Sequence, residues 1–333
     1  MKETYHLLRP FRAAHLMALL VLCTALLATP AQAECGVINT DSSLGTVSSL
    51  SLISAAQNGS AAGGFYCAGL LQLLSTAYVR VSLVTSDFTL TGSQGGSIPF
   101  NVFADSGLTQ PLLAGQAAQF GAGNLLNLGG LGAGVPLYFS TAPGANVPAG
   151  TYTGTVTLRW HWAVCGTLGI GNICTWERSP GLAQTCLLGG ICGAPTNWGT
   201  GAVTTIRVTL VVTKACQIVN LPAVDMGRKA LVSQFTKVSQ TLSVRCTNTE
   251  GFSISFGNGQ NYQAPWRQMA LGSNRLRYNI YTSDQSLLSL SQTLDSVGTG
   301  LNQGFQVQVQ IDPKQNDVPA GTYVDTVVVT LSY

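Results

Sequence analysis

Eight cysteines are the residues of this chain with the most chemistry to offer. They are Cys35, Cys67, Cys165, Cys174, Cys186, Cys192, Cys216 and Cys246, while a ninth, Cys23, sits in an apolar N-terminal run. Thiols in this number form disulfides or hold a metal. Cys35 and Cys67 lie 32 residues apart, and Cys216 and Cys246 lie 30 apart, so by position they make two pairs. The other four crowd into 165–192 and pair among themselves, with three connectivities open. The rival is a four-cysteine zinc site. Zinc ligands recur at short set spacings, whereas these spacings are irregular and His161 is not placed as a ligand. No metal is expected. In the chain-entropy model, loops of this length contribute about 3–4 kcal/mol per bridge.

Other reactive groups are sparse. His6 and His15 fall in the N-terminal run, and His161 stands alone as ordinary strand surface, which argues against a Ser-His-Asp triad. Carboxylates are scattered, without the close pair used in glycoside hydrolysis. Gly129–Gly134 lacks the strand–helix context of a phosphate loop. Trp160 and Trp162 have core-type spacing, while Trp176 and Trp198 are candidates for stacking on sugars. No cofactor and no enzymatic activity are expected.

The elements that position these residues begin with a leader. Lys2, Arg9 and Arg12 precede an apolar run from Leu16 to Leu27, and Ala31-Gln32-Ala33 follows as a small-x-small cleavage signal. That order reads as a secretory signal peptide over 1–33 and puts the cysteines in an oxidising compartment. The run is short for a membrane span. Beyond it the net charge is +1, which excludes the electrostatics of nucleic-acid or anionic-membrane binding. Residues 34–213 hold 29 of the 38 glycines but only 9 charged side chains, against 16 charged side chains in 214–333, so the two halves carry different surfaces.

An internal repeat links those halves. NVPAGTYTGTVTL at 146–158 is echoed by DVPAGTYVDTVVV at 317–329, an offset of 171. Ile98–Phe103 resembles Leu276–Tyr281, and the two cysteine pairs repeat at similar offsets. Two tandem copies of one domain is the simplest account. Val156, Leu158, Trp160 and Trp162 alternate with polar residues, as do Val327, Val329, Leu331 and Tyr333, which is strand periodicity. No amphipathic helix is evident. The expected fold class is all-β, with two sandwiches.

The copies differ at one place. The first continues through a Cys-rich insert (163–201) to Thr204–Thr213, where Ile206, Val208, Leu210 and Val212 face one way. The second stops at the strand ending in Tyr333. The C-terminal sandwich is therefore expected to lack its last strand, leaving an apolar groove and an unpaired edge. A strand donated by another chain would fill it. Four or five buried donor side chains contribute roughly 6–15 kcal/mol before ordering costs. The alternatives are that 214–333 is complete with fewer strands, or that Thr204–Thr213 serves the second domain, although only two residues separate Thr213 from Cys216.

Three first-half segments are unusually apolar for loops. Leu70, Leu71, Leu73 and Leu74 follow Cys67, and Leu125, Leu126, Leu128 and Leu131 lie within Gly121–Gly134. Leu168, Ile170, Ile173, Leu187, Leu188 and Ile191 lie in the insert. Leucines among glycines do not form a helical stripe, since each helical Gly costs about 1 kcal/mol. Exposed together they make an interaction patch; turned inward they cap the sandwich core.

PAGTYVDTVVVTLSY, the pair Cys216 and Cys246, and YNIYTSD resemble the spore coat protein U domain, the pilin domain of archaic chaperone–usher pili. SSLGTVSSLSL, YCAGLLQLLS, ANVPAGTY and the Cys-rich insert resemble the two-domain tip adhesins of that family. The resemblance implies immunoglobulin-like sandwiches, an adhesin-type domain over 34–213 and a pilin domain over 214–333. It implies a donor strand from the next pilus subunit, a periplasmic chaperone, an outer-membrane usher, and a place at the pilus tip on the cell surface. Unlike an ordinary shaft subunit, the chain has no free donor segment between the expected cleavage site and Cys35. The leading functional expectation is attachment to hydrophobic surfaces through the apolar loops. The alternatives are a lectin-like adhesin using Trp176 or Trp198, and a structural coat or fibre-initiating subunit.

Overall fold

A computed structural model of the chain describes residues 34–68, 77–120, 134–165, 175–187 and 190–333. The expected leader at 1–33 lies outside the described residues. The fold is almost entirely β, in two sandwiches.

The first sandwich contains β1 (Glu34–Val37), β2 (Thr40–Ser48), β3 (Asn58–Ala62), β4 (Phe65–Ala68), β5 (Ala77–Ser86), β6 (Thr89–Gly92) and β7 (Ser97–Phe103). It continues with β8 (Ala117–Phe120), β9 (Pro136–Thr141), β10 (Gly150–Cys165), β11 (Trp176–Arg178), β12 (Ala183–Leu187), β13 (Ile191–Asn197) and β14 (Ala202–Thr213). One short helix, α1 (Ser49–Ser54), escaped the periodicity argument because it has six residues; Ser48 caps it by accepting from the Ser51 amide at 3.1 Å.

The long strand β10 is the spine. It pairs antiparallel with β14 along Gly150–Trp160 and with β5 along Val156–Val164. β14 also runs parallel to β2. The sheet path is β2-β14-β10-β6-β7-β9-β3. Thr204–Thr213 thus pairs within the first sandwich, with β10 on one side and β2 on the other. Its alternation is visible in burial: Ile206, Val208 and Leu210 are fully enclosed, and the residues between them are not. Trp160, also fully enclosed, stacks near Phe65 at 5.5 Å and donates its indole N–H to the Gly63 carbonyl at 2.8 Å.

The second sandwich has β15 (Cys216–Asn220), β16 (Val238–Cys246), β17 (Gly251–Phe256), β18 (Arg267–Leu271), β19 (Asn274–Thr282), β20 (Thr293–Val297), β21 (Asn302–Ile311) and β22 (Val329–Ser332). One sheet is β15-β16-β21-β19-β18, and the facing one is β20-β17-β22. Leu242, Val244, Ile254 and Ile280 are among the residues that fill the space between them.

The repeat is structural as well as textual. Cys35–Cys67 joins β1 to β4 and Cys216–Cys246 joins β15 to β16, each between directly opposed residues of antiparallel strands. In the echoed phrase, the Tyr152 hydroxyl donates to the Pro148 carbonyl at 2.8 Å, and the Tyr323 hydroxyl donates to the Pro319 carbonyl at 2.8 Å. The same four-residue hydrogen bond therefore shapes the turn that feeds each strand. In the insert, Cys186 pairs with Cys192 and Cys165 is also disulfide-bonded. That pairing retains one of the three connectivities left open by the sequence.

Candidate functional site

Beside β22 the second sandwich is open. A groove of about 420 Å³ runs between the stretch after β15, with Leu221 and Val224, and the final strand segment, with Val327 and Val329. Its floor includes Leu242, Ile280 and Val309. Two further valines of the final segment, Val324 and Val328, are 65% and 68% exposed.

The offset of 171 places Val327, Val329 and Leu331 where the first copy has Val156, Leu158 and Trp160. Those three residues of β10 are completely buried, with β14 paired alongside them in the same sheet. Their counterparts are only partly buried. The backbone differs in the same sense. β10 is paired with β14 throughout Gly150–Trp160, whereas β22 ends its sheet, with β17 on one side and no strand on the other among the described residues. Upstream of β22, backbone bonds hold Val324 to Ala270 and carry the Gly257 amide to the Val328 carbonyl. An unpaired edge over an apolar floor can accept one further strand, by main-chain hydrogen bonds and alternate side chains.

Polar residues brace one end of the groove. Asp325 lies in the inward-facing series, at the place of Gly154 in the first copy. Its carboxylate accepts from the Tyr278 hydroxyl at 2.6 Å and from the Gln260 amide at 2.8 Å. Burial, then the Asp325 hydrogen bond and charge, push the Tyr278 phenol well above its ordinary range. Arg267 is 1% exposed and donates to the carbonyls of Gly257 (2.8 Å) and Phe256 (3.1 Å). These contacts tie β18 and β19 to the end of β17 and the final segment.

The expected adhesive residues divide between described and undescribed segments. Leu70, Leu71, Leu73, Leu74, Leu125, Leu126, Leu128, Leu131, Leu168, Ile170, Ile173 and Leu188 lie outside the described residues, as does Cys174. Leu187 and Ile191 are described. They face each other across the β12–β13 hairpin, one residue from the Cys186–Cys192 bridge, and are 70% and 37% exposed. The bridge holds two apolar side chains side by side in solvent.

The insert also changes the reading of several aromatic residues. Trp176 is buried, stacks with Tyr78 at 6.1 Å and donates to the Gly190 carbonyl at 3.0 Å, so its ring is cover and not a platform. His161 is not ordinary strand surface. It is 4% exposed because the insert folds over the outer face of β10, and its Nδ1 is 2.8 Å from the Trp198 carbonyl. Burial first, with the charges of Arg80 and Arg159 adding to it, pushes its pKa down against the opposing pull of the Trp198 hydrogen bond. Sequence reasoning passed over Leu221–Val224 as one lip of the groove. It also missed Arg80 beside Arg159, whose 79-residue separation hides a pairing that only the β5–β10 register creates.

Among the described residues no group of His, Cys, Asp or Glu is arranged to hold a metal ion. The Spore Coat Protein U domain model matches residues 22–159 and 202–330. No match was found among curated proteins. Among solved structures, the chain is similar to one from the CsuC–CsuE chaperone–tip adhesion subunit pre-assembly complex of archaic chaperone–usher Csu pili of Acinetobacter baumannii. Identity is 23% and the TM-score 0.65, over 90% of this chain and 100% of that one. A chaperone–tip adhesin complex of CFA/I fimbriae matches at 12% identity and TM-score 0.31, over 88% and 96%. The CupB6 tip adhesin from Pseudomonas aeruginosa matches at 11% and 0.29, over 83% and 86%.

Proposed function

The chain belongs to the Spore Coat Protein U domain family, and from that premise we propose that it is a pilus adhesin subunit whose second sandwich is completed by a donated strand. The observation that carries the reading is the open groove beside β22. Val327, Val329 and Leu331 stay partly exposed where Val156, Leu158 and Trp160 are completely buried alongside β14. In this reading 1–33 is the signal peptide, 34–213 the adhesin-type domain with its insert at 163–201, and 214–333 the pilin domain. A periplasmic chaperone covers the groove first, an outer-membrane usher exchanges it for the next subunit's strand, and the first domain stands at the pilus tip. Attachment to hydrophobic surfaces is assigned to the apolar loops, with Leu187 and Ile191 as their described members.

The first sandwich supplies a template for the missing partner. β14 lays Leu210 against Tyr152 and Ile206 against Val156 in the register of β10. A donor in the same register sets an apolar side chain against Tyr323 and another against Val327. The test appends the sequence of residues 202–213 after Tyr333 through a flexible turn, with a second version in which that sequence is shifted by one residue. A one-residue slip turns every apolar side chain outward. The in-register fusion is expected to keep the chain monomeric without a chaperone and to raise its unfolding midpoint, and the shifted one is not. An unfused chain that is already a stable monomer, with no gain from either fusion, would overturn the proposal.

A further inference from the structure

A cationic cluster at the rim of the insert has no role in the groove or the apolar loops. In the antiparallel β5–β10 ladder, Arg80 opposes His161 and Ser82 opposes Arg159. The two arginines therefore rise from one face, a single diagonal step apart. The Arg80 guanidinium lies 4.5 Å over the Trp198 ring, and the carbonyl of the same tryptophan is bonded to His161. A guanidinium stacked in this way is pre-oriented. Yet the Nε atoms of both Arg80 and Arg159 are buried without a hydrogen-bond partner. Residues 34–213 contain five acidic side chains, all described, and none forms an ion pair with either arginine.

Two adjacent cations with orphaned donors and no counter-charge are costly to hold together. An oxyanion supplies the missing counter-charge, and the outer N–H groups of the two guanidinia, unlike the enclosed Nε atoms, match its geometry. We propose that Arg80 and Arg159, beside the Trp198 ring, bind the carboxylate or sulfate of an acidic saccharide. The tryptophan offers an apolar ring next to the charge, which suits a sugar carrying an anion better than a free inorganic ion. The site is on the first sandwich and does not depend on the groove being filled.

The full chain is titrated with polygalacturonate, dextran sulfate and neutral dextran, followed by calorimetry and tryptophan fluorescence. Saturable, salt-sensitive binding to at least one polyanion and none to dextran is expected, and the tighter polyanion identifies carboxylate or sulfate as the ligand group. Arg80→Gln and Arg159→Gln should each weaken binding by about tenfold, the loss expected for charge-assisted hydrogen bonds. Arg80→Lys, which keeps the charge but not the fork, should recover only part. Arg207→Gln, at an exposed arginine on β14 opposite Asp41, should change nothing. Unfolding midpoints distinguish lost binding from lost fold, and Arg159→Gln decides alone if Arg80→Gln does not fold. No binding of either polyanion, binding that survives both Gln variants, or an equal loss in Arg207→Gln would overturn the site.

Discussion

Val156 and Val327 occupy the same place in the two copies, yet Val156 is completely buried and Val327 is only partly so. Both sit four residues after a tyrosine that hydrogen-bonds to a proline carbonyl, so the turn that aims them is the same. The difference comes from across the sheet. Ile206 of β14 is paired with Val156, and no strand among the described residues is paired with Val327.

That relationship predicts unequal costs for one substitution. Val156→Ala removes methyls from a sealed core and should destabilise by about 2 kcal/mol, transfer plus cavity. Val327→Ala should cost well under half of that in the unfused chain, because its surroundings are open to water. With the donor strand fused, the cost of Val327→Ala should rise toward that of Val156→Ala. Chemical denaturation of the unfused parent, its two variants, the fused parent and fused Val327→Ala checks the pattern, and equal costs in the unfused chain would contradict it.

The paired tyrosines give a second comparison. Tyr152 is 1% exposed and Tyr323 is partly buried. Removing a hydroxyl loses a hydrogen bond worth about 1 kcal/mol, and more when a buried acceptor is left unpaired. Tyr152→Phe should therefore lower stability by about 1–2 kcal/mol, and Tyr323→Phe by less. Denaturant midpoints of the two single variants against the parent are the measurement.

Much of this was legible because strands bury alternate residues. The period-two runs at 156–162, 206–212 and 327–333 each mark a strand or its approach, and the shared phrase with its tyrosine gave the offset. Local signals of that kind do not reveal what lies opposite. The Arg80–Arg159 cluster depends on the β5–β10 register, and the burial of His161 depends on an insert whose fold is set by disulfides and cross-strand packing. α1 is too short for its period to register. Gly154 and Asp325 align in the repeat, but only the structure explains the exchange: a Cβ at Gly154 would meet the Thr89 carbonyl at 2.7 Å, whereas Asp325 has room and takes the Tyr278 hydroxyl.

The exposed hairpin tip yields a direct test of attachment. Leu187 and Ile191 project beside a disulfide, so replacing them changes the surface more than the core. Leu187→Ser with Ile191→Ser should reduce adsorption to polystyrene severalfold, with adsorption to clean glass and the unfolding midpoint nearly unchanged, since exposed sites usually shift stability by less than about 0.5 kcal/mol. Cys186→Ser with Cys192→Ser should also reduce adsorption while leaving both leucine-type side chains in the sequence. Unaltered adsorption in the first variant would remove the hairpin from the adhesive surface.

A pH dependence follows from His161. It is the sole histidine in residues 34–333, so a histidine-linked transition there has a single source. Burial comes first among the causes that hold its pKa below the ordinary 6.5; the Trp198 hydrogen bond opposes it, and the charges of Arg80 and Arg159 add to the lowering. The folded chain therefore binds this proton less readily than the unfolded chain. The stability it contributes is intact above about pH 6.5 and is lost as pH falls below that value toward the folded pKa. Unfolding midpoints of the full chain should drop between pH 7.5 and 5.5. His161→Gln, which can still donate toward the Trp198 carbonyl but does not titrate, should be nearly flat across the same interval. A parent chain with no drop, or a variant whose drop equals the parent's, would show that His161 does not control the transition.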